Sequence, residues 1–75
     1  MKTDNLTLAQ LAAGEHCRVQ SLQMTGHIRS RLLDIGLIPG TDVTCVQTGN
    51  GIAAYRIRSA IIALRDCDAQ QIRIA

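Results

Sequence analysis

His16 and His27 are the only imidazoles of this 75-residue chain, and Cys17, Cys45 and Cys67 its only thiols. Nucleophilic catalysis needs a hydroxyl or thiol within reach of a base, and metal binding needs donors that converge. His16 and Cys17 are adjacent, but neighbours on a strand point to opposite faces, so the two do not chelate one ion without distortion. The chain has no C-x-x-C, which removes the zinc knuckle and the thioredoxin-type redox pair. An odd number of widely spaced cysteines argues for reduced thiols and against a disulfide scaffold. Cys17 and Cys45 lie in alternating apolar stretches and read as small core residues. Cys67, between Asp66 and Asp68, reads as part of an exposed turn. No nucleophile is paired with either histidine at a recognisable spacing, and Gly36 and Gly40 lack the Lys-Ser/Thr of a phosphate-binding loop. The expectation is a non-enzyme with no catalytic residue, no metal ligand set and no cofactor.

What chemistry remains is cationic. Eight Lys and Arg face six Asp and Glu, a formal charge of +2, and seven of the eight are Arg. A nucleic-acid binder usually has a denser basic stripe and aromatics on which bases stack, and here Tyr55 is the lone aromatic. No nucleic-acid partner is expected. The longest apolar run, Ala60 to Leu64, is far short of the ~20 residues that span a bilayer. Asp4, Asn5 and Gln10 interrupt any leader-type apolar stretch after Lys2. The expected protein is cytoplasmic, with no membrane insertion and a single domain over residues 1–75. Its core must be aliphatic, because Phe and Trp are absent.

Any functional side chain must be positioned by short elements. "NLTLAQL" predicts a helical turn with Thr7 as its cap, and Gly14 breaks it. "HCRVQSL" alternates as a half-buried strand whose pattern slips at Ser21-Leu22, the mark of a bulge or an end. From Thr25, a plausible N-cap, Ile28, Leu32 and Ile35 follow helical spacing, with Arg29, Ser30, Arg31 and Asp34 largely on the other face. Gly36 falls where a helix wants a left-handed C′ residue, and Leu37 at C″ is expected to fold back on the last turn. Pro39 and Gly40 match the central positions of a type II turn. This tight reversal launches a strand at Asp42.

Beyond it, "DVTCVQT", "AAYRIR", "AIIALR" and "IRIA" alternate. "GNG" at 49–51 is a hairpin signal, and "DCDAQQ" reads as one polar turn. Tyr55, Ile57, Ile62, Leu64, Ile72 and Ile74 are assigned inward, and Arg56 and Arg58 to a solvated strand face. Five short strands, one short helix and a helical turn favour a mainly all-β fold, a small antiparallel barrel that removes sheet edges. Asp34 is anomalous, because a carboxylate in a helix's last turn opposes the macrodipole by roughly 0.3–1 kcal/mol. An Arg31–Asp34 pair, and hydrogen bonds accepted from the reversal amides, are the expected compensation.

"RLLDIGLIPGTDV", together with "LTLAQLAAGEHCRV" and the "ALR…IRI" ending, resembles the FeoA family from Leu8 to Ile74. Two departures are visible: the family's longer, Pro-containing loop is here the compact "QTGNGIAA", and Ser59 stands where a Gly often precedes "ALR". The resemblance implies an SH3-like barrel and a cytoplasmic helper of bacterial ferrous-iron uptake. It implies docking on the cytoplasmic GTP-binding part of the FeoB membrane transporter. It places the partner-binding surface on the exposed helix face and adjoining reversal, at Arg29, Arg31, Asp34 and Leu37, with Gly36, Pro39 and Gly40 as structural turn residues. A related domain ends DtxR-type repressors, so a metal-responsive adaptor is the alternative, and an RNA-binding small barrel a third. Oligomeric state is not legible.

Overall fold

The computed structural model describes residues 6–58 and 60–75. Lys2, Asp4 and Asn5, on which the leader reading rests, and Ser59, one of the family departures, lie outside the described residues. A 3₁₀ turn at Leu8–Gln10 precedes β1 (His16–Leu22), helix α1 (Gly26–Asp34), β2 (Asp42–Thr48), β3 (Ile52–Ile57) and β4 (Ala60–Arg65). A one-turn helix α2 (Asp66–Ala69) and β5 (Ile72–Ile74) complete the order. The five strands pair antiparallel in the order β4-β3-β2-β1-β5, as the alternating stretches predict.

β1 is the strand that lets the sheet curl. Its first half pairs with β2, Cys17 opposite Val43, and its second half with β5, Leu22 opposite Ile72. The register shifts between Val19 and Ser21, so the expected irregularity comes slightly early and the strand continues through it to Leu22. Thr25 does sit at the N-cap of α1 with extended backbone, but its side chain makes no capping hydrogen bond.

Inward positions of every strand meet in one aliphatic core. Tyr55, Leu8, Leu37, Ile57, Ile72, Val43 and Cys45 are its largest fully buried side chains. The lone aromatic reaches across the core, and its Oη donates a hydrogen bond to the carbonyl oxygen of Leu8 at 3.2 Å. That bond ties the 3₁₀ turn to β3. Cys45 is buried, Cys17 half-buried and Cys67 exposed, and all three are free thiols, as their spacing implied.

Burial raises three acidic groups in and around this core, the Cys45 thiol among them. The Tyr55 hydroxyl is pushed from 10.0 to about 12, chiefly by burial and then by the neighbouring Cys45, Asp66 and Cys17. The Cys17 thiol rises from 9.0 to about 11, by burial first and by Asp42 second. The neutral forms are therefore favoured in the folded state. As pH climbs past the ordinary values, the unfolded chain releases these protons first, so unfolding gains. Stability from these groups should be complete below about pH 9 and be lost progressively toward pH 12. Urea midpoints measured from pH 7 to 11 check this, and Tyr55→Phe should flatten the upper part of the decline.

The two sheet edges differ. The outer edge of β5 is covered, with Thr7 bridging to Arg73 and the Ile74 amide donating to Leu6 O at 3.0 Å. Among the described residues, β4 pairs with β3 on one side only.

Candidate docking surface

The local sequence that closes α1 also fixes its orientation. Gly36 has φ +100, and its amide donates to Leu33 O at 3.0 Å while the Leu37 amide donates to Leu32 O at 2.9 Å. These two bonds constitute a Schellman motif with Leu37 at C″. Gly40 has φ +95 and the Thr41 amide donates to Ile38 O at 3.0 Å, so Ile38-Pro39-Gly40-Thr41 is the expected turn. The Gly40 amide also bonds Val19 O at 2.8 Å and Thr41 O accepts from Val19 N at 2.9 Å, seating the reversal on β1.

Sequence reasoning missed the residue that locks the two turns together. Thr41 is buried; its hydroxyl donates to Gly36 O at 2.9 Å and accepts from the Ile38 amide at 3.3 Å. A threonine following Pro-Gly carries no distinctive signal of its own. Arg56 and Arg58 are exposed, as expected, but Arg58 is not on the strand. It lies just past β3 in the β3–β4 turn with φ +56, and its side chain packs over the helix end. A Cβ on Gly36 would lie 3.0 Å from Arg58 Nε and 3.2 Å from its Cδ, whereas nothing lies within 4 Å of one on Gly40.

Gly36→Ala therefore meets backbone strain and a close contact, and Gly40→Ala the strain alone. We expect losses of about 2–3 kcal/mol for the first and about 1–2 for the second. Denaturation of both, and of Gly36→Ala combined with Arg58→Ala, checks the assignment. The double variant should recover only the contact part.

Two expectations for this region are corrected. Leu37 is fully buried and offers no surface to a partner. Its apolar side chain is consumed by the core on which the last turn of α1 rests. Asp34 is exposed and does not serve the reversal: the amides of Gly36, Leu37, Ile38, Gly40 and Thr41 all have other acceptors, and Pro39 has no amide proton. Neither does Asp34 pair with Arg31; the ion pair found among the described residues joins Arg18 and Asp42 at 3.3 Å, both well exposed.

Helix α1 is only partly covered. Leu32 is buried and Ile28 half-buried, but Ile35 is 41% exposed. Between this face and β4 runs an open groove of about 360 Å³, with Ile28, Leu32, Ile35, Ile52 and Ile62 supplying its apolar surface. Arg31, Arg65 and Asp68 also line it. The structure thus joins Arg31 with Arg65 at one groove and leaves Arg29 and Asp34 outside its lining. Arg65 and the isoleucines were missed because they come from segments far apart in the chain. Among the described residues, no three His, Cys, Asp or Glu side chains are grouped to hold a metal ion.

The model of the FeoA domain family matches residues 6–75, all but five residues of the chain. The chain belongs to the FeoA family. No curated protein matches it in sequence. Among solved structures, FeoA-family likeness extends to iron(II) transport protein A from Clostridium thermocellum, 25% identical with a TM-score of 0.83. The alignment covers 92% of this chain and 44% of that one, so the FeoA domain described here spans less than half of that protein's length. FeoA from Stenotrophomonas maltophilia, solved with zinc and described as a prokaryotic SH3 domain protein, is 23% identical over 93% of this chain and 89% of its own, with a TM-score of 0.83. A manganese-dependent transcriptional repressor shares the fold at a TM-score of 0.83 and 18% identity, over 93% of this chain and 40% of its own. The fold is thus the mainly β, SH3-like one that the FeoA resemblance implied.

Proposed function

We propose that this FeoA-family chain is a cytoplasmic accessory protein of ferrous-iron uptake. It acts by docking on the cytoplasmic GTP-binding part of a FeoB-type transporter, without chemistry of its own. The observation that carries this reading is the half-covered face of α1 beside an open apolar groove flanked by Arg31 and Arg65. A domain this small gains little by leaving isoleucines on an open face, whereas such patches rimmed by charge mark interaction sites. No described helix is long and apolar enough to cross a membrane.

Pull-down and calorimetry against that cytoplasmic domain test the proposal. Arg29→Glu with Arg31→Glu should weaken binding by about tenfold, or ~1.4 kcal/mol. Of the single variants, Arg31→Glu should carry most of the loss, because Arg31 lines the groove and Arg29 does not. Undiminished binding by the double variant contradicts the proposed surface. The repressor's shared fold keeps a second reading, a metal-responsive adaptor, which predicts no binding to the transporter domain.

A further inference from the structure

We propose that the outer edge of β4 accepts an extended segment of the partner as an added strand, apolar at alternate positions and carrying carboxylates between them. This rests on the docking reading above only for who supplies the segment; the capacity of the edge belongs to the chain itself.

The hydrogen-bond parity of the β3–β4 ladder says which groups are available. The Asp66 amide donates to Gly51 O at 2.9 Å, in step with the register that pairs Ile52 with Arg65 and Ala53 with Leu64. Bonded and non-bonded pairs alternate along an antiparallel ladder. Leu64, Ile62 and Ala60 therefore exchange bonds with β3, and Ile61, Ala63 and Arg65 direct their N–H and C=O groups outward. Those three residues line the free edge.

Apart from the charge of Arg65 at its end, β4 carries nothing that discourages pairing. Edge strands are normally blunted by Pro, Lys, bulges, inward charges or a covering segment. β4 reads Ala-Ile-Ile-Ala-Leu before Arg65, its pairing with β3 is unbroken, and Ile61 is 56% exposed. At the other end of the sheet, β5 has three residues and is covered by Leu6 and Thr7. Among the described residues, one edge is closed and one is open.

The groove specifies the occupant. It lies between β4 and α1, so a strand added about 4.8 Å from β4 would run along it. Alternate side chains of that strand would face Ile28, Ile35 and Ile62, which favours aliphatic residues. Arg31 and Arg65 outnumber Asp68 in the lining, which favours carboxylates on the incoming segment. A second copy of this chain fits poorly, because Leu64 of its own β4 is already buried in its core and its arginines would meet those of the first.

The test uses the isotope-labelled chain and a blocked peptide of alternating valine and glutamate. Controls are a peptide with the same residues in two blocks and an alternating valine–lysine peptide. The alternating acidic peptide should slow hydrogen exchange at the amides of Ile61, Ala63 and Arg65 by about tenfold or more. The amides of Ile62 and Leu64, already bonded to β3, should change little, and both controls should bind weakly. Ala63→Pro removes an outward N–H at a position where an edge tolerates proline, and it should abolish the protection; Arg65→Glu should weaken it without touching the backbone.

Unchanged exchange at these three amides overturns strand addition, whether or not shifts appear on α1. Protection without peptide, together with a doubled mass in sedimentation, shows that a second copy takes the edge and also overturns it. Should Ala63→Pro bind the transporter domain as the unaltered chain does, strand addition falls and docking stands. Should the unaltered chain ignore that domain yet protect the three amides with peptide, docking falls and strand addition stands.

Discussion

Replacing Leu37 with alanine should lower the stability of the domain by about 2–5 kcal/mol, the range for deleting a fully buried aliphatic side chain. The side chain has no exposed surface, and its backbone closes the helix through the bond to Leu32 O. A cavity at this point loosens the last turn of α1 as well as the core beneath it. A domain this small has a margin of roughly 3–5 kcal/mol, so the variant should be substantially unfolded at 37 °C. Leu37→Met, which conserves volume, should lose less than about 1.5 kcal/mol. Urea denaturation of the three chains measures the difference. A loss below about 1 kcal/mol for Leu37→Ala would mean that the reversal does not hold the helix as described.

Tyr55→Ala should be similarly damaging, at about 3–5 kcal/mol, because the largest fully buried side chain disappears from a core that has no other aromatic. Tyr55→Phe isolates the hydroxyl. Leu8 O keeps a second donor, the Leu11 amide at 3.1 Å, so loss of the phenolic bond does not orphan the carbonyl. The expected loss is about 1 kcal/mol, that of one ordinary hydrogen bond. Protease sensitivity of the N-terminal turn should rise in Tyr55→Phe even where global stability changes little. Equal losses for the two variants would contradict this division between packing and tether.

Most of the framework follows from local patterns. Alternation predicts the strands because each has one buried face, and the buried positions Val43, Cys45, Tyr55, Ile57, Leu64, Ile72 and Ile74 keep that period. The chain reversal is legible because only glycine readily takes φ near +100 and proline sets the turn beside it. Legibility ends where a role depends on distant segments. Thr41 is recognisable as a lock only once Gly36 O and the Ile38 amide are in place around it. Asp34 invited a capping role by its position in the last turn, yet backbone carbonyls and Thr41 had already satisfied the amides it was meant to serve.

The groove shows the same division. Helical spacing puts Ile28, Leu32 and Ile35 on one stripe but does not say what covers it. The structure gives only part of that stripe to the core and leaves Ile35 facing a groove whose other wall is β4. Arg31 joins the proposed docking surface by virtue of that wall, and Arg65 lines the same groove from a strand 34 positions away in sequence. The family resemblance places Leu37 on the partner surface; the Schellman turn buries its side chain and leaves Ile38 exposed.

On the proposed reading, the α1–β4 groove is where this FeoA-family domain meets the transporter. Titrating the transporter's cytoplasmic domain into the isotope-labelled chain, and following amide shifts residue by residue, tests it most directly. The expected result is a continuous set of perturbed amides over Arg31, Ile35 and Ile61 to Arg65, with the 3₁₀ turn and β5 unaffected. Perturbations centred on β5 and the 3₁₀ turn, or no perturbation at saturating concentrations, would contradict the account.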